Sequence, residues 1–272
     1  MGTIATPIAS GPGWRVDDVL CTSGPADRPF EERHDEACIA VVTSGTFQYR
    51  TRQGGAILSP GALLLGNRGA CFECGHEHAV GDRCLSFHLT PAFQEAVAAA
   101  IPGVRRTSFG LPSLPPLAEL APLVAEAEAA REEKDAVALE EIALRLVAAV
   151  ATTLADRKPR ISSPHRRDVR RVTEALRRIE LTAEARLPLH ALAREANMSA
   201  YHFLRTFRQI VGLTPHQYVL RTRLHRAAVR LRRTREPVTT IALDAGFEDL
   251  SSFNRRFRRI MGMSPGAWRT QK

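Results

Sequence analysis

Hydrophobic and polar positions follow three different rhythms along the chain. Between Cys38 and about Thr90, short runs rich in β-branched and aromatic residues (Cys38-Ile-Ala-Val-Val-Thr43, Gly45-Thr-Phe-Gln-Tyr-Arg50, Ala62-Leu-Leu-Leu65) are broken by Gly and Pro, as at Ser59-Pro-Gly61. That punctuation predicts the short strands of an all-β sandwich or small barrel. From Pro115 to Asp156 the composition turns to Ala, Leu and Glu, and Leu139, Ile142, Leu146 and Val150 fall at helical spacing, predicting a pair of amphipathic helices. Lys158-Pro-Arg-Ile-Ser-Ser-Pro164 reads as a polar, proline-bounded linker, and everything beyond it reads helical.

The last region repeats itself. Leu189-His-Ala-Leu-Ala-Arg-Glu-Ala196 matches Val238-Thr-Thr-Ile-Ala-Leu-Asp-Ala245 at an offset of 49 residues. Phe203-Leu-Arg-Thr-Phe-Arg-Gln-Ile-Val-Gly-Leu-Thr-Pro215 matches Phe253-Asn-Arg-Arg-Phe-Arg-Arg-Ile-Met-Gly-Met-Ser-Pro265 at 50, so the second copy has one extra residue in its turn. Each copy reads as helix, turn, helix. Ser199 and Asp249 stand where a side-chain oxygen caps the second helix. Phe203, Phe207 and Ile210, and likewise Phe253, Phe257 and Ile260, form the buried stripe. Tyr201, His202, Arg205 and Arg208 are left facing outward in the first copy, and Ser251, Asn254, Arg255 and Arg258 in the second. An aromatic stripe opposite solvated arginines also suits an ordinary helical bundle. The opposite face here carries the forks and amides that read base edges and phosphates, which suits a recognition helix. The helix between the copies, His216 to Arg232, spans roughly 26 Å at 1.5 Å per residue, enough to set two recognition helices about one duplex turn apart.

Charge strengthens the nucleic-acid reading. The chain carries a net +9, but residues 160–272 hold 24 Lys and Arg against 9 Asp and Glu, a net of +15, whereas residues 1–159 carry −6. Such a split fits a partner whose affinity comes from phosphate neutralisation. No apolar run approaches the roughly 20 residues of a membrane span. Residues 1–13 lack the pattern of a secretory signal, so the expected location is the cytoplasm.

Residues from about Val169 to Trp268 resemble the DNA-binding domain of the AraC/XylS family of bacterial regulators. The resemblance rests on Leu-Ala-x-Glu-Ala-x-Met-Ser in the first unit, Ala-x-x-Ala-Gly-Phe in the second, Phe-x-Arg-x-Phe-Arg, the paired Gly-x-[Thr/Ser]-Pro turns and Arg223-Leu. It implies two helix-turn-helix subdomains bridged by a long helix and bound to promoter DNA, with the base-contacting places at Ala200, Tyr201, Leu204 and Arg205, then Leu250, Ser251, Asn254 and Arg255. Ala200, Leu204 and Leu250 cannot hydrogen-bond a base through their side chains, so readout there is apolar or missing. The resemblance further implies a cupin-like sensing β-barrel ahead of that domain, and helices that dimerise. The expected architecture is therefore α+β and multidomain. It comprises a sensing β-barrel over 1–112, a helical dimerisation segment over 113–157, a linker over 158–165, and an all-α tandem helix-turn-helix domain over 166–272.

The N-terminal part carries all five cysteines, and an odd count without a secretory signal argues against a disulfide scaffold. Cys71-Phe-Glu-Cys-Gly-His-Glu-His78, followed by Cys84 and His88, offers Cys71, Cys74, His76, His78 and Cys84 as ligands for Zn²⁺ or another thiophilic metal. No second Cys-x₂-Cys or His pair closes the set as in a zinc finger. The same residues fit a reactive thiol activated by histidine, or simple packing. His34, at the place where cupins hold a pocket histidine, joins Glu73 and His88 as candidate effector contacts, with a surface role as the alternative.

The expected function is a non-enzymatic transcriptional regulator that senses a small molecule, a metal or a redox signal. Its expected partners are double-stranded promoter DNA, a second copy of the chain, an unknown effector and, where it activates, RNA polymerase. A cupin-type metalloenzyme or cysteine-based repair protein fused to a DNA-binding domain is the alternative from another class, and an architectural DNA binder without effector is the third.

Overall fold

Strand β4 (Ala37–Gly45) explains the N-terminal architecture. Its first six residues are all buried, although side chains alternate between faces along a strand; a strand buried on both sides must lie in a sheet that is covered on both sides. Ile39 and Val41 point into one core and Cys38, Ala40 and Val42 into another. The computed structural model, which describes residues 2–29, 31–76, 81–101, 103–104, 106–155 and 165–271, supplies both covers.

The central sheet has six strands in the order β1 (Thr3–Gly11), β2 (Trp14–Cys21), β9 (Asp82–Leu89), β4, β7 (Leu63–Gly66) and β10 (Ser113–Leu114). A second sheet, β3 (Glu31–Arg33), β8 (Cys71–Gly75), β5 (Phe47–Thr51) and β6 (Gly54–Leu58), lies on one face. Phe47, Tyr49 and Leu58 of this sheet meet Cys38, Ala40, Val42, Leu64 and Cys84 of the first. The other face is covered by α2 (Ala121–Glu133) and α3 (Ala136–Ala155), the helix pair expected from the Ala/Leu/Glu segment, through Leu120, Val124, Leu139, Ile142, Leu146 and Val150. Helix α1 (Pro91–Ala99), capped by Thr90, follows β9.

Among the described residues no ladder joins the two sheets at their margins. The result is an open sandwich where a closed barrel was expected. Its margins are β1 and β10 in the larger sheet and β3 and β6 in the smaller. The expected linker falls outside the described residues except for His165, which caps α4 (Arg166–Thr182) through its ring.

The C-terminal part comprises α4, α5 (Leu189–Glu195), α6 (Ala200–Val211), α7 (Pro215–Arg233), α8 (Val238–Asp244), α9 (Leu250–Met261) and α10 (Pro265–Thr270). It has two cores, one around Phe203, Phe207 and Tyr218, the other around Phe253, Phe257 and Trp268. Trp268 Nε1 donates a 3.0 Å hydrogen bond to the Ala228 carbonyl, fastening α10 to α7. Each core borrows from the N-terminal half: Ile57 of β6 packs on the first, and Ala125 of α2 is buried in the second. No described helix is long and apolar enough to cross a membrane.

Candidate nucleic-acid interface and effector region

Both helix-turn-helix units are set by local sequence. The turn between α5 and α6 needs a left-handed residue, supplied by Asn197 (φ 51°); its counterpart between α8 and α9 is Gly246 (φ 83°). Asn and Gly are the residues that tolerate this conformation. Ser199 then accepts from the His202 N–H and Asp249 from the Ser252 N–H, so both expected caps are present. Gly212 and Gly262, both left-handed, end α6 and α9.

The capped helices bury their stripes and expose the rest. Phe203 and Phe207 are fully buried in α6, Phe253 and Phe257 in α9, while Ile210 and Ile260 are half-buried. Tyr201, His202, Arg205 and Arg208 are exposed on α6; Ser251, Asn254, Arg255 and Arg258 are exposed on α9. Tyr201 is 75% exposed on this face. The connecting helix α7 has 19 residues, a length of roughly 28 Å.

What the sequence left unread is how the two units are locked together. Arg223, in α7, donates from Nε to Ala183 O (2.5 Å), from Nη1 to Gly246 O (2.6 Å), and from Nη2 to Ala185 O (2.8 Å) and Glu184 O (3.4 Å). One guanidinium thus ties the end of α4 to the turn of the second unit. Gly246 comes so close that a Cβ there would lie 2.3 Å from Glu184 O.

A helix-turn-helix family model matches residues 192–271. Over 98 residues the chain is 36% identical to the transcriptional activator AarP of Providencia stuartii, covering 36% of this chain and 73% of that protein. The chain belongs to the AraC/XylS family of transcriptional regulators. It is also 37% identical over 87 residues to the probable transcriptional regulator LumQ of Photobacterium leiognathi; this match covers 32% of the chain and about a third (35%) of LumQ. Among solved structures, an AraC-type regulator from Chromobacterium violaceum is 28% identical with a TM-score of 0.37, over 39% of this chain and 96% of that one. The matched relatives are regulators, not enzymes.

In this AraC-family chain the N-terminal half folds back on the DNA-binding part. A cavity of about 580 Å³ lies between them, with Thr43, Pro60, Leu117 and Val124 on one side and Tyr218, Arg221, His225 and Arg226 on the other. His225 Nε2 pairs with Glu128 Oε2 across it. Among the described residues Arg221 Nη1, buried at this cleft, has no hydrogen-bond partner, and burial lowers the Arg221 pKa against the pull of Glu119.

The expected effector contacts divide. The His34 Nε2–Tyr49 hydroxyl hydrogen bond is 2.8 Å, and the His34 ring stacks on Phe72 at 4.1 Å. Burial, with nearby His88, lowers it to about 4, so it is neutral at ordinary pH. His88 contacts Asp17 at 3.2 Å. Glu73 sits one residue from Phe72 and Cys74, which face the inter-sheet core, so strand alternation turns it outward beside Arg50.

The expected metal ligands divide too. Cys74 and His76 follow Phe72 on the inner face, while Cys71 lies on the outer one; His78 falls outside the described residues. Cys84 Sγ is 3.5 Å from Asp82 Oδ2. Burial pushes the Cys38 thiol up to about 12 and raises those of Cys74 and Cys84 as well. That is the reverse of the activation a redox-sensing thiolate needs. The side chains that do converge include two not expected from the sequence, Cys21 and Asp82, with His76. Their positions, separated by as many as 61 residues, follow no ligand spacing that a motif search would find.

Proposed function

We propose that the chain is a one-component transcriptional regulator. Helices α6 and α9 enter successive major grooves of promoter DNA, and occupancy of the interdomain cleft shifts the chain between DNA-competent and DNA-incompetent arrangements. The observation that carries the reading is the pair of capped helices with buried Phe stripes and exposed Arg faces, held in one body by Arg223. Arg221 Nη1, unpaired among the described residues, favours an effector with an anionic group, since a buried donor without a partner costs about 1–3 kcal/mol that such a ligand would relieve. A ligand works here only through unequal affinity for the two arrangements.

The cupin-like sensing role belongs to the sandwich, with His34 and His88 as the secondary candidate contacts and Glu73 retained for a ligand reaching the outer face. Homodimerisation is assigned to α3, where Val137 and Leu144 are exposed large apolar residues. Contact with RNA polymerase accompanies the reading if the protein activates, and a cytoplasmic location suits it.

Selection of duplexes from a random library by the full chain, followed by fluorescence anisotropy, tests the DNA reading. A bipartite site with half-sites about 34 Å apart, bound at least ~10³-fold tighter than random duplex, is the expected result. Comparable affinity for every duplex would instead make the chain an architectural DNA binder.

A further inference from the structure

The N-terminal sandwich holds a second group of polar side chains that neither DNA binding nor the cleft uses. Cys21 ends β2, Asp82 begins β9, and the two are direct partners in the antiparallel register. Gly81 makes the approach possible: its φ is +70°, and a Cβ there would lie 2.8 Å from the Cys21 carbonyl oxygen. His76 arrives from the other sheet, one residue beyond β8. Its ring stacks on Phe47 at 5.9 Å, and Nε2 stands 2.5 Å from Asp82 Oδ1. His76 and Asp82 are 5% and 8% exposed. One ligand atom from each of Cys21, His76 and Asp82 lies within 4.8 Å of the other two.

We infer that Cys21, His76 and Asp82 form a binding site for one Zn²⁺ ion, which pins the two sheets of the sandwich together. The donor set decides the metal. A hard cation such as Mg²⁺ or Ca²⁺ takes oxygen ligands, whereas thiolate, imidazole and carboxylate together suit borderline Zn²⁺. A histidine–aspartate pair alone would account for two of the three residues. It gives no reason for a thiol within reach of both, or for a second thiol, Cys84, beside the other Asp82 oxygen. The described residues give Asp82 a histidine partner and no guanidinium or ammonium group, so the buried carboxylate has room for a cation. Three protein ligands leave one tetrahedral position open. Because Cys21 and Asp82 belong to the six-stranded sheet and His76 follows the four-stranded one, the ion would cross-link the two layers where no ladder does.

The test titrates chelator-stripped full-length protein with Co²⁺, a spectroscopic stand-in for Zn²⁺. The expected result is saturation at about one Co²⁺ per chain with a thiolate-to-cobalt charge-transfer band, displaced by Zn²⁺. Cys21→Ser should remove that band. His76→Gln and Asp82→Asn should each weaken binding by at least roughly tenfold, while Cys71→Ser, on the outer face, should leave the titration unchanged. Far-ultraviolet circular dichroism checks each variant's fold. Should a ligand variant fail to fold, alkylation of wild-type protein decides, because Zn²⁺ should protect Cys21 from iodoacetamide. Absence of binding, cobalt spectra without a thiolate band, loss of the band in Cys71→Ser, or unprotected Cys21 would each overturn the assignment.

Discussion

Thr46 Oγ1 donates a 3.0 Å hydrogen bond to Glu180 Oε1, joining the turn between β4 and β5 to helix α4 of the DNA-binding part. The Tyr218 hydroxyl donates to the same oxygen at 3.3 Å. Burial raises the Glu180 carboxyl to about 7, against the opposing pull of these two hydrogen bonds and of Arg226. The folded chain therefore binds this proton more tightly than the unfolded one, whose carboxyl titrates near 4.5. Stability from this group is complete below that value and falls as pH rises through about 7. Urea unfolding of the wild type at several pH values should show the decline, and Glu180→Gln should flatten it. An equal slope in the variant would exclude Glu180 as its source.

Arg223 binds four carbonyls from both sides of the seam between the two units. Arg223→Ala leaves the Ala183 and Gly246 carbonyls without their part-buried donor and should cost about 1–2 kcal/mol of stability. Its sharper signature is on DNA: affinity for a duplex carrying both half-sites should fall more than affinity for a single half-site, since each unit keeps its own core. Parallel losses on both duplexes would show that the guanidinium only stabilises the fold.

Arg205 and Arg255 stand exposed on the outer faces of α6 and α9. Alanine at either should cost about 1–3 kcal/mol on the selected site if it reads guanine. Anisotropy on specific and random duplexes separates the roles, because equal losses on both mean a phosphate contact.

Phe257 is fully buried, with Phe253 at 5.3 Å and Trp268 at 6.2 Å between ring centroids. Phe257→Ala should destabilise the second unit by about 3–5 kcal/mol through the cavity it leaves. Calorimetry reads this directly, and an unchanged melting temperature would refute the inward orientation.

The C-terminal half was legible because its rules are local. Caps, left-handed turns and aromatic stripes follow from neighbours within a few positions, and the repeat states each rule twice. The long apolar run of β4 was legible as a strand, though not as one buried on both faces. Strand β1 was missed because Thr3-Ile-Ala-Thr-Pro-Ile-Ala-Ser-Gly11 puts Pro7 in its middle and exposes most of its residues. It tolerates the proline because it is an edge strand with an irregularity between Pro7 and Ala9. The Cys21–His76–Asp82 group was illegible for a different reason. Register between distant strands brings it together, whereas short spacing in the sequence points to Cys71, which alternation turns away. Arg223 was seen only as a family-like residue; its four carbonyls lie in loops that no periodicity locates.

The placing of Ile57 on one helix-turn-helix core and Ala125 within the other has a consequence for what counts as a domain. The chain divides in sequence at the linker, yet each C-terminal core also takes in one side chain from the other half. A fragment beginning at residue 165 would expose the surfaces that Ile57 and Ala125 cover and should lose the stability those contacts supply. Any signal that parts the halves must wet the same surfaces. The free energy of switching is therefore written into the cores of the DNA-binding units themselves.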